Sequence, residues 1–152
     1  VEPMREIFVP INKHGRTGEE ARRMFNEAFE SDNLVLYFPA GLCSRKKKGV
    51  VQDLEWKKTI ITKAKQTQRD IIPCYFGARN SNLFYNVANL REKIGVKSNL
   101  EMVLLPREMM KKKKSHFEIT FGEPISYHHF DDSKNDKEWA AWLKEKVYSL
   151  KK

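Results

Sequence analysis

Apolar positions along the chain fall into alternating blocks, some spaced as on one face of a helix and others continuous over the length of a strand. Helical spacing predicts helices over residues 17–30, 54–68, 83–94 and 138–150. Continuous apolar or β-branched runs predict strands over residues 5–11, 34–38, 70–76, 100–105 and 116–121. Strands therefore alternate with helices along most of the chain.

Runs that are apolar throughout, such as residues 34–38 (LVLYF), are typical of strands covered on both faces. Together with the alternation, they predict an α/β fold, a layered sandwich with a mostly parallel central sheet flanked by helices. A length of 152 residues suits a single domain over residues 1–152. The chain opens on Val1 rather than Met and enters a predicted strand at once, so we expect it to be a piece of a longer chain.

Positive charge gathers in three loops that follow predicted strands. Lys and Arg number 29 against 20 Asp and Glu, which gives a formal net charge of +9. The basic residues of these loops are Lys13, His14 and Arg16, then Arg45, Lys46, Lys47 and Lys48, then Arg79. Ligands of such folds bind beyond the carboxyl ends of the strands, so the three loops predict one anion-binding edge. The alternative is that each lysine is simply a solvated surface charge.

A second basic cluster, Lys111–Lys114, directly follows Met109 and Met110. Apolar side chains that dip into lipid beside lysines that meet anionic head groups form an interfacial patch, which we predict here. The alternative is a solvated turn with both methionines packed inward.

Other chemistries have weaker support in the sequence. The charge also suits nucleic acid, with Tyr75, Phe76, Phe84 and Tyr85 as stacking platforms, yet no nucleic-acid recognition motif is present, so we do not expect this partner. A zinc site would need His128, His129 and Asp131 together, and adjacent histidines rarely share one ion, so we expect no metal. Cys43 lies next to basic residues without an identifiable base partner.

The location of the protein follows from what the sequence lacks. Its apolar stretches are far shorter than the roughly 20 residues that cross a bilayer. Two cysteines are too few for a disulfide scaffold, and the first residues do not read as a signal peptide. We therefore expect a cytoplasmic protein, peripheral at the inner face of the membrane.

Residues 34–44 (LVLYFPAGLCS) resemble the third signature block of the glycerolipid acyltransferase family, of the lysophosphatidic-acid type. That block reads Phe-Pro-Glu-Gly-Thr-Arg-Ser after a buried strand. The positions that match are Phe38, Pro39, Gly41 and Ser44, and those that depart are Ala40, Leu42 and Cys43. The bacterial hemolysin-like branch has Phe-Pro-Ala-Gly-Leu-Cys-Ser-Arg followed by Asp-Leu-Glu-Trp-Lys-Lys, and this chain carries both stretches.

Two further blocks occur in the family's order. Residues 7–13 (IFVPINK) resemble the second block and residues 71–77 (IIPCYFG) the fourth, so the resemblance covers roughly residues 5–126. It implies that these blocks hold the polar head of the acyl acceptor. The resemblance carries this role to Lys13, Gly41, Ser44 and Arg45, and implies that Gly41 and Ser44 keep the turn of the third block. The basic loops add Arg16, Lys46 and Arg79 to the expected substrate-binding residues. Because the family's arginine is replaced by Cys43, a head group other than phosphate, such as that of a lyso-aminolipid, fits the pattern.

The resemblance also implies the reaction, in which an acyl thioester of acyl-carrier protein or coenzyme A acylates a lysolipid hydroxyl without a cofactor. The family's catalytic His-x-x-x-x-Asp block should precede the second block, and this chain has no room for it there. His14 and Glu19 have the right spacing but lie after that strand. We therefore expect the acceptor-binding part of a phospholipid-synthesis acyltransferase, inactive by itself. The alternative is a non-catalytic basic module that binds anionic lipid surfaces or nucleic acid.

Overall fold

A computed structural model of the chain describes residues 8–9 and 18–151. Five α-helices, four short strands and two 3₁₀ helices lie within these residues. In chain order they are α1 (Glu19–Glu30), β1 (Arg45–Lys47), β2 (Val50–Gln52), α2 (Thr59–Thr67), β3 (Cys74–Phe76), α3 (Asn82–Lys93), a 3₁₀ helix (Leu100–Leu104), α4 (Leu105–Lys111), β4 (Ile119–Phe121), a second 3₁₀ helix (Tyr127–His129) and α5 (Asp136–Ser149). The four helices expected from apolar spacing are present as α1, α2, α3 and α5.

The strands of the described residues pair in two antiparallel ribbons. In the first, Arg45 of β1 lies opposite Gln52 of β2. The turn between them places Lys48 and Gly49 at φ 49° and 84°, which is the geometry of a tight hairpin turn. In the second, Cys74 of β3 lies opposite Phe121 of β4. No parallel pair occurs in the described part of the chain, so the mostly parallel central sheet stays a prediction for the whole protein.

The strand expected over residues 100–105 is wrong, because this stretch is helical. It forms the 3₁₀ helix and the first residue of α4. Leucine, methionine and glutamate favour helices, and Pro106 stands in the first turn of α4, where its missing N–H costs nothing. A short apolar run does not distinguish a strand from a helix by itself.

Residues 34–38 belong to none of the strands of the described residues, although the sequence predicts a strand there. Val35 and Tyr37 pack on the core, whereas Leu34, Leu36 and Phe38 are 90%, 75% and 73% exposed. Arg69 holds the start of the segment by donating to the backbone oxygens of Ser31 and Asn33. The described residues therefore cover only one side of this run, whereas the sequence predicts a strand covered on both faces.

The core lies between α1, α2 and α5. Its largest members include Phe29, Trp56, Ile61, Phe130, Trp139 and Leu143. An Asn135–Glu138 capping box fixes the start of α5, since each residue's side chain bonds the other's backbone N–H. Helix α3 buries Phe84, Tyr85 and Ala88. None of the helices in residues 18–151 is long and apolar enough to cross a membrane.

Candidate acceptor-binding site

The loop of residues 39–44 links residues 34–38 to β1 and begins with a tight turn. The Gly41 N–H donates to the Phe38 oxygen at 3.1 Å, and Gly41 has φ 67°. A Cβ at this position would meet no atom within 4 Å, so glycine is needed for its backbone conformation rather than for space. The turn that the resemblance implies for Gly41 is present.

The Ser44 hydroxyl is held by a network that reaches α5. It donates to Asp53 Oδ1 at 2.6 Å, and Asp53 Oδ2 accepts from Trp56 Nε1 at 3.1 Å. The backbone N–H of Asp53 donates to the Tyr148 hydroxyl at 2.7 Å. Burial raises the pKa of Tyr148 above its usual value, and the bond from the Asp53 N–H opposes that rise. The Asp-Leu-Glu-Trp stretch thus fixes the loop, a role for Asp53 and Trp56 that the sequence analysis did not assign.

Arg45 points into the protein rather than toward solvent. It is 2% exposed, and its guanidinium contacts Glu101 Oε1 at 2.6 Å and the Cys43 oxygen at 2.8 Å. Glu101 is fully buried, and its other oxygen lies 3.0 Å from Arg91 Nε. Two arginines therefore share one buried carboxylate. The expected contact between Arg45 and an acceptor stays a prediction, but this arrangement makes Arg45 a residue that positions the loop.

Lys46 contacts α3, and Arg79 lies in the loop that leads into this helix. Lys46 Nζ donates to Asn82 Oδ1 at 3.2 Å, and Asn89 Nδ2 donates to the Lys46 oxygen at 3.0 Å. Arg79 is exposed and precedes the helix. These contacts place the β1 end of the loop against α3, so the second and third basic loops meet there.

Buried Tyr85 lies between the same two loops. Burial raises its pKa above the usual value. The Asn80 N–H donates to its hydroxyl at 3.0 Å and, with the nearby charge of Arg79, lowers the pKa, whereas Cys43 and Glu108 raise it. Cys43, Arg79 and Glu108 are thus all close enough to act on one phenol.

Glu108 anchors α4 to the start of α3. Its carboxylate accepts from the Ser81 backbone N–H at 2.6 Å and from the Ser81 hydroxyl at 2.7 Å. These bonds lower the pKa of Glu108 below its usual value. Ser81 in turn caps α3 by accepting from the Phe84 N–H at 3.4 Å. Nothing in the polar pattern of the sequence signalled that Glu101 and Glu108 would be buried.

The first basic loop and the candidate catalytic histidine lie outside the described residues. These predictions concern Lys13, His14 and Arg16. The described part of the chain therefore brings together two of the three basic loops, through Lys46, Arg79 and α3. Two shallow cavities of about 400 and 380 Å³ lie elsewhere, lined by residues near Arg69 and near Trp142.

The structure also bears on the two other chemistries considered from the sequence, nucleic-acid stacking and metal binding. Phe84 and Tyr85 are buried, so these two side chains are not available as stacking platforms for nucleic-acid bases. Residues 18–151 contain no group of three His, Cys, Asp or Glu side chains arranged to hold a metal ion. His129 instead lies against Trp142, with ring centroids 4.8 Å apart.

The sequence of the chain matches a family model and two curated proteins. A family model described as "Acyltransferase" matches residues 1–152. The chain is 47% identical over 144 residues to the lyso-glycine lipid O-acyltransferase of Bacteroides thetaiotaomicron, covering 95% of this chain and 53% of that protein. It is 44% identical to the enzyme of the same name from Phocaeicola vulgatus, covering 95% and 52%.

The chain thus spans about half the length of the curated relatives it matches. No solved structure matches it. The family model covers every residue, and both relatives are named as O-acyltransferases. The chain belongs to the acyltransferase family.

Proposed function

We propose that the whole protein transfers an acyl group from a thioester to the hydroxyl of a lyso-glycine lipid, and that this chain holds the acceptor. The observation that carries the proposal is the similarity to two lyso-glycine lipid O-acyltransferases over 95% of the chain, including the loop of residues 39–44. The hydroxyl oxygen attacks the thioester carbon, the carbon–sulfur bond breaks, and the thiol leaves with the proton. The reaction requires no oxidant, reductant or metal.

We propose that the acceptor is joined through the nitrogen of its glycine, which leaves the glycine carboxylate as the head group. Arg79 is exposed beside the loop and is suited to bidentate carboxylate binding. Lys46 can add a second positive charge, because its bond to Asn82 at the start of α3 lies at the surface. The loss of the family's arginine at Cys43 fits a change of head group from phosphate.

The proposal also names the acyl donor, the source of the catalytic residues and the location of the whole protein. The donor is a thioester of acyl-carrier protein or coenzyme A, and the catalytic His and Asp come from another part of the whole protein. We propose that it works as a cytoplasmic, peripheral protein at the inner face of the membrane, as a member of the hemolysin-like branch. The 152-residue chain alone is then inactive.

The test uses a protein of the relatives' length that contains this chain. Arg79→Ala and Lys46→Ala should each raise KM for lyso-glycine lipid severalfold and leave kcat nearly unchanged, because both act on the head group. Lys146→Ala, an exposed lysine on α5, is the matched control. An unchanged KM in both site variants would refute the acceptor site, and no transfer by the unaltered protein to any lysolipid would refute the activity.

A further inference from the structure

Residues 100–114, which we call the basic-apolar segment, bury acidic side chains and expose apolar ones, the reverse of an ordinary surface helix. Its acidic residues, Glu101 and Glu108, are buried, whereas large apolar side chains face solvent. Val103, Met109 and Met110 are 80%, 70% and 63% exposed. Helices of water-soluble proteins normally place these residue types the other way round. The alternative in which both methionines pack inward is therefore wrong.

The two buried carboxylates explain why the segment is held in this orientation. Glu101 is shared by Arg45 and Arg91, and Glu108 accepts two bonds from Ser81. Rotating the segment to bury its methionines would break these pairs and leave the arginine charges without a partner, which is strongly unfavourable. The contacts of Glu101 and Glu108 therefore hold the apolar face of the segment outward.

Helix α3, which packs against the 3₁₀ helix of the segment, also exposes apolar side chains. Leu83, Leu90 and Ile94 are spaced seven and four residues apart, so they share one face of α3, and all three are exposed. Exposed apolar residues on two adjacent elements form a patch rather than a single isolated side chain. Patches of this kind mark interaction sites.

The charges that the basic-apolar segment exposes are all positive. Arg107 and the run Lys111–Lys114 supply five cations, and the two acidic residues of the segment are both buried. Lysine next to apolar side chains at an anionic bilayer adds electrostatic attraction to insertion of the apolar groups. Methionine suits such a surface because its flexible side chain adapts to irregular surroundings.

We propose that the basic-apolar segment docks on an anionic lipid bilayer, with Val103, Met109 and Met110 inserted at the interface and Lys111–Lys114 against the head groups. Glu101 then connects the docked segment directly to Arg45 at the end of the acceptor-binding loop. Docking holds that loop near the membrane in which a lysolipid resides. The inference deepens the proposed function by naming its membrane partner, but its test requires no acyl transfer.

The experiment is co-sedimentation of the 152-residue chain with vesicles of phosphatidylcholine, with or without phosphatidylglycerol. The chain should bind the phosphatidylglycerol vesicles at least about tenfold more tightly, and added salt should weaken binding. V103S/M109S/M110S should lose most of the binding, and so should a variant with Lys111–Lys114 all changed to Gln. Circular dichroism checks that each variant is folded.

The matched control is L34S/L36S, which removes two equally exposed apolar side chains from a different part of the surface. It should bind as the unaltered chain does. Equal loss in the control, equal binding to neutral vesicles, or full binding by the V103S/M109S/M110S variant would each overturn the proposal.

If the V103S/M109S/M110S variant changes the mass of the protein in solution but not its vesicle binding, a second copy of the chain is the partner instead and the proposal is wrong. Retained vesicle binding with no acyl transfer by the longer protein would refute the proposed function alone.

Discussion

At the scale of single residues, the charge of Glu101 determines whether the loop of residues 39–44 stays in place. Glu101→Gln keeps the size of the side chain but removes the negative charge shared by Arg45 and Arg91. Breaking a buried charge pair by altering one partner costs about 3–5 kcal/mol, so the free energy of unfolding in urea should fall by that order. Glu92→Gln, which alters a more exposed partner of Arg91, is the control and should cost about 1 kcal/mol or less. Similar losses in both variants would contradict the network.

The Glu108 carboxylate should make stability depend on pH in the acid range. Its bonds to Ser81 lower its pKa in the folded protein below the usual value of 4.5, so the unfolded chain holds its proton more tightly. The stabilisation is then complete above pH 4.5 and is lost as the pH falls through the folded pKa. Urea midpoints of the unaltered chain and Glu108→Gln should differ by a constant amount near neutral pH and converge in acid. Parallel curves down to the lowest pH would contradict this assignment.

At the scale of elements, the turn at Gly41 should tolerate no side chain despite its open surroundings. Gly41→Ala forces a residue with a Cβ to φ 67°, which costs about 1–2 kcal/mol and shifts the Phe38–Gly41 turn. Gly18→Ser is the control, because φ −57° suits any residue and serine caps the following helix. We expect thermal unfolding to show a lower midpoint for the first variant and no decrease for the second. An equal midpoint in Gly41→Ala would show that the turn relaxes freely.

The elements also show how far the sequence could predict this structure. Long amphipathic patterns, as in α1, α3 and α5, were sufficient to place helices because periodicity over three turns is hard to produce otherwise. Shorter apolar runs were not sufficient, as residues 100–105 show, because a run of this length is compatible with either a strand or a helix. The burial of Glu101 against Arg45, 56 positions away in the chain, is a contact that no local pattern predicts. The loop motif predicted the turn at Gly41, whereas the burial of Arg45 depends on that same distant carboxylate.

At the scale of the whole molecule, the exposed face of residues 34–38 indicates how this chain fits a longer protein. Its relatives are about twice the length of the region that they share with it. Leu34, Leu36 and Phe38 expose apolar side chains, and the backbone of residues 34–38 has no strand partner among the described residues. A neighbouring strand with a covering layer would satisfy both, as in the mostly parallel central sheet that we propose for the whole protein.

Hydrogen exchange can test this sheet directly. In a protein of the relatives' length, the backbone amides of residues 34–38 should exchange at least about tenfold more slowly than in the 152-residue chain, because strand pairing protects them. Amides of α5, which already has its own capping box and core contacts, are the internal control and should change little. Leu36→Asp should then destabilise the longer protein by several kcal/mol and barely affect the short chain, since the same position is buried in one and exposed in the other. Equal exchange rates for residues 34–38 in both proteins would mean that this face stays open, and the central sheet would have to be abandoned.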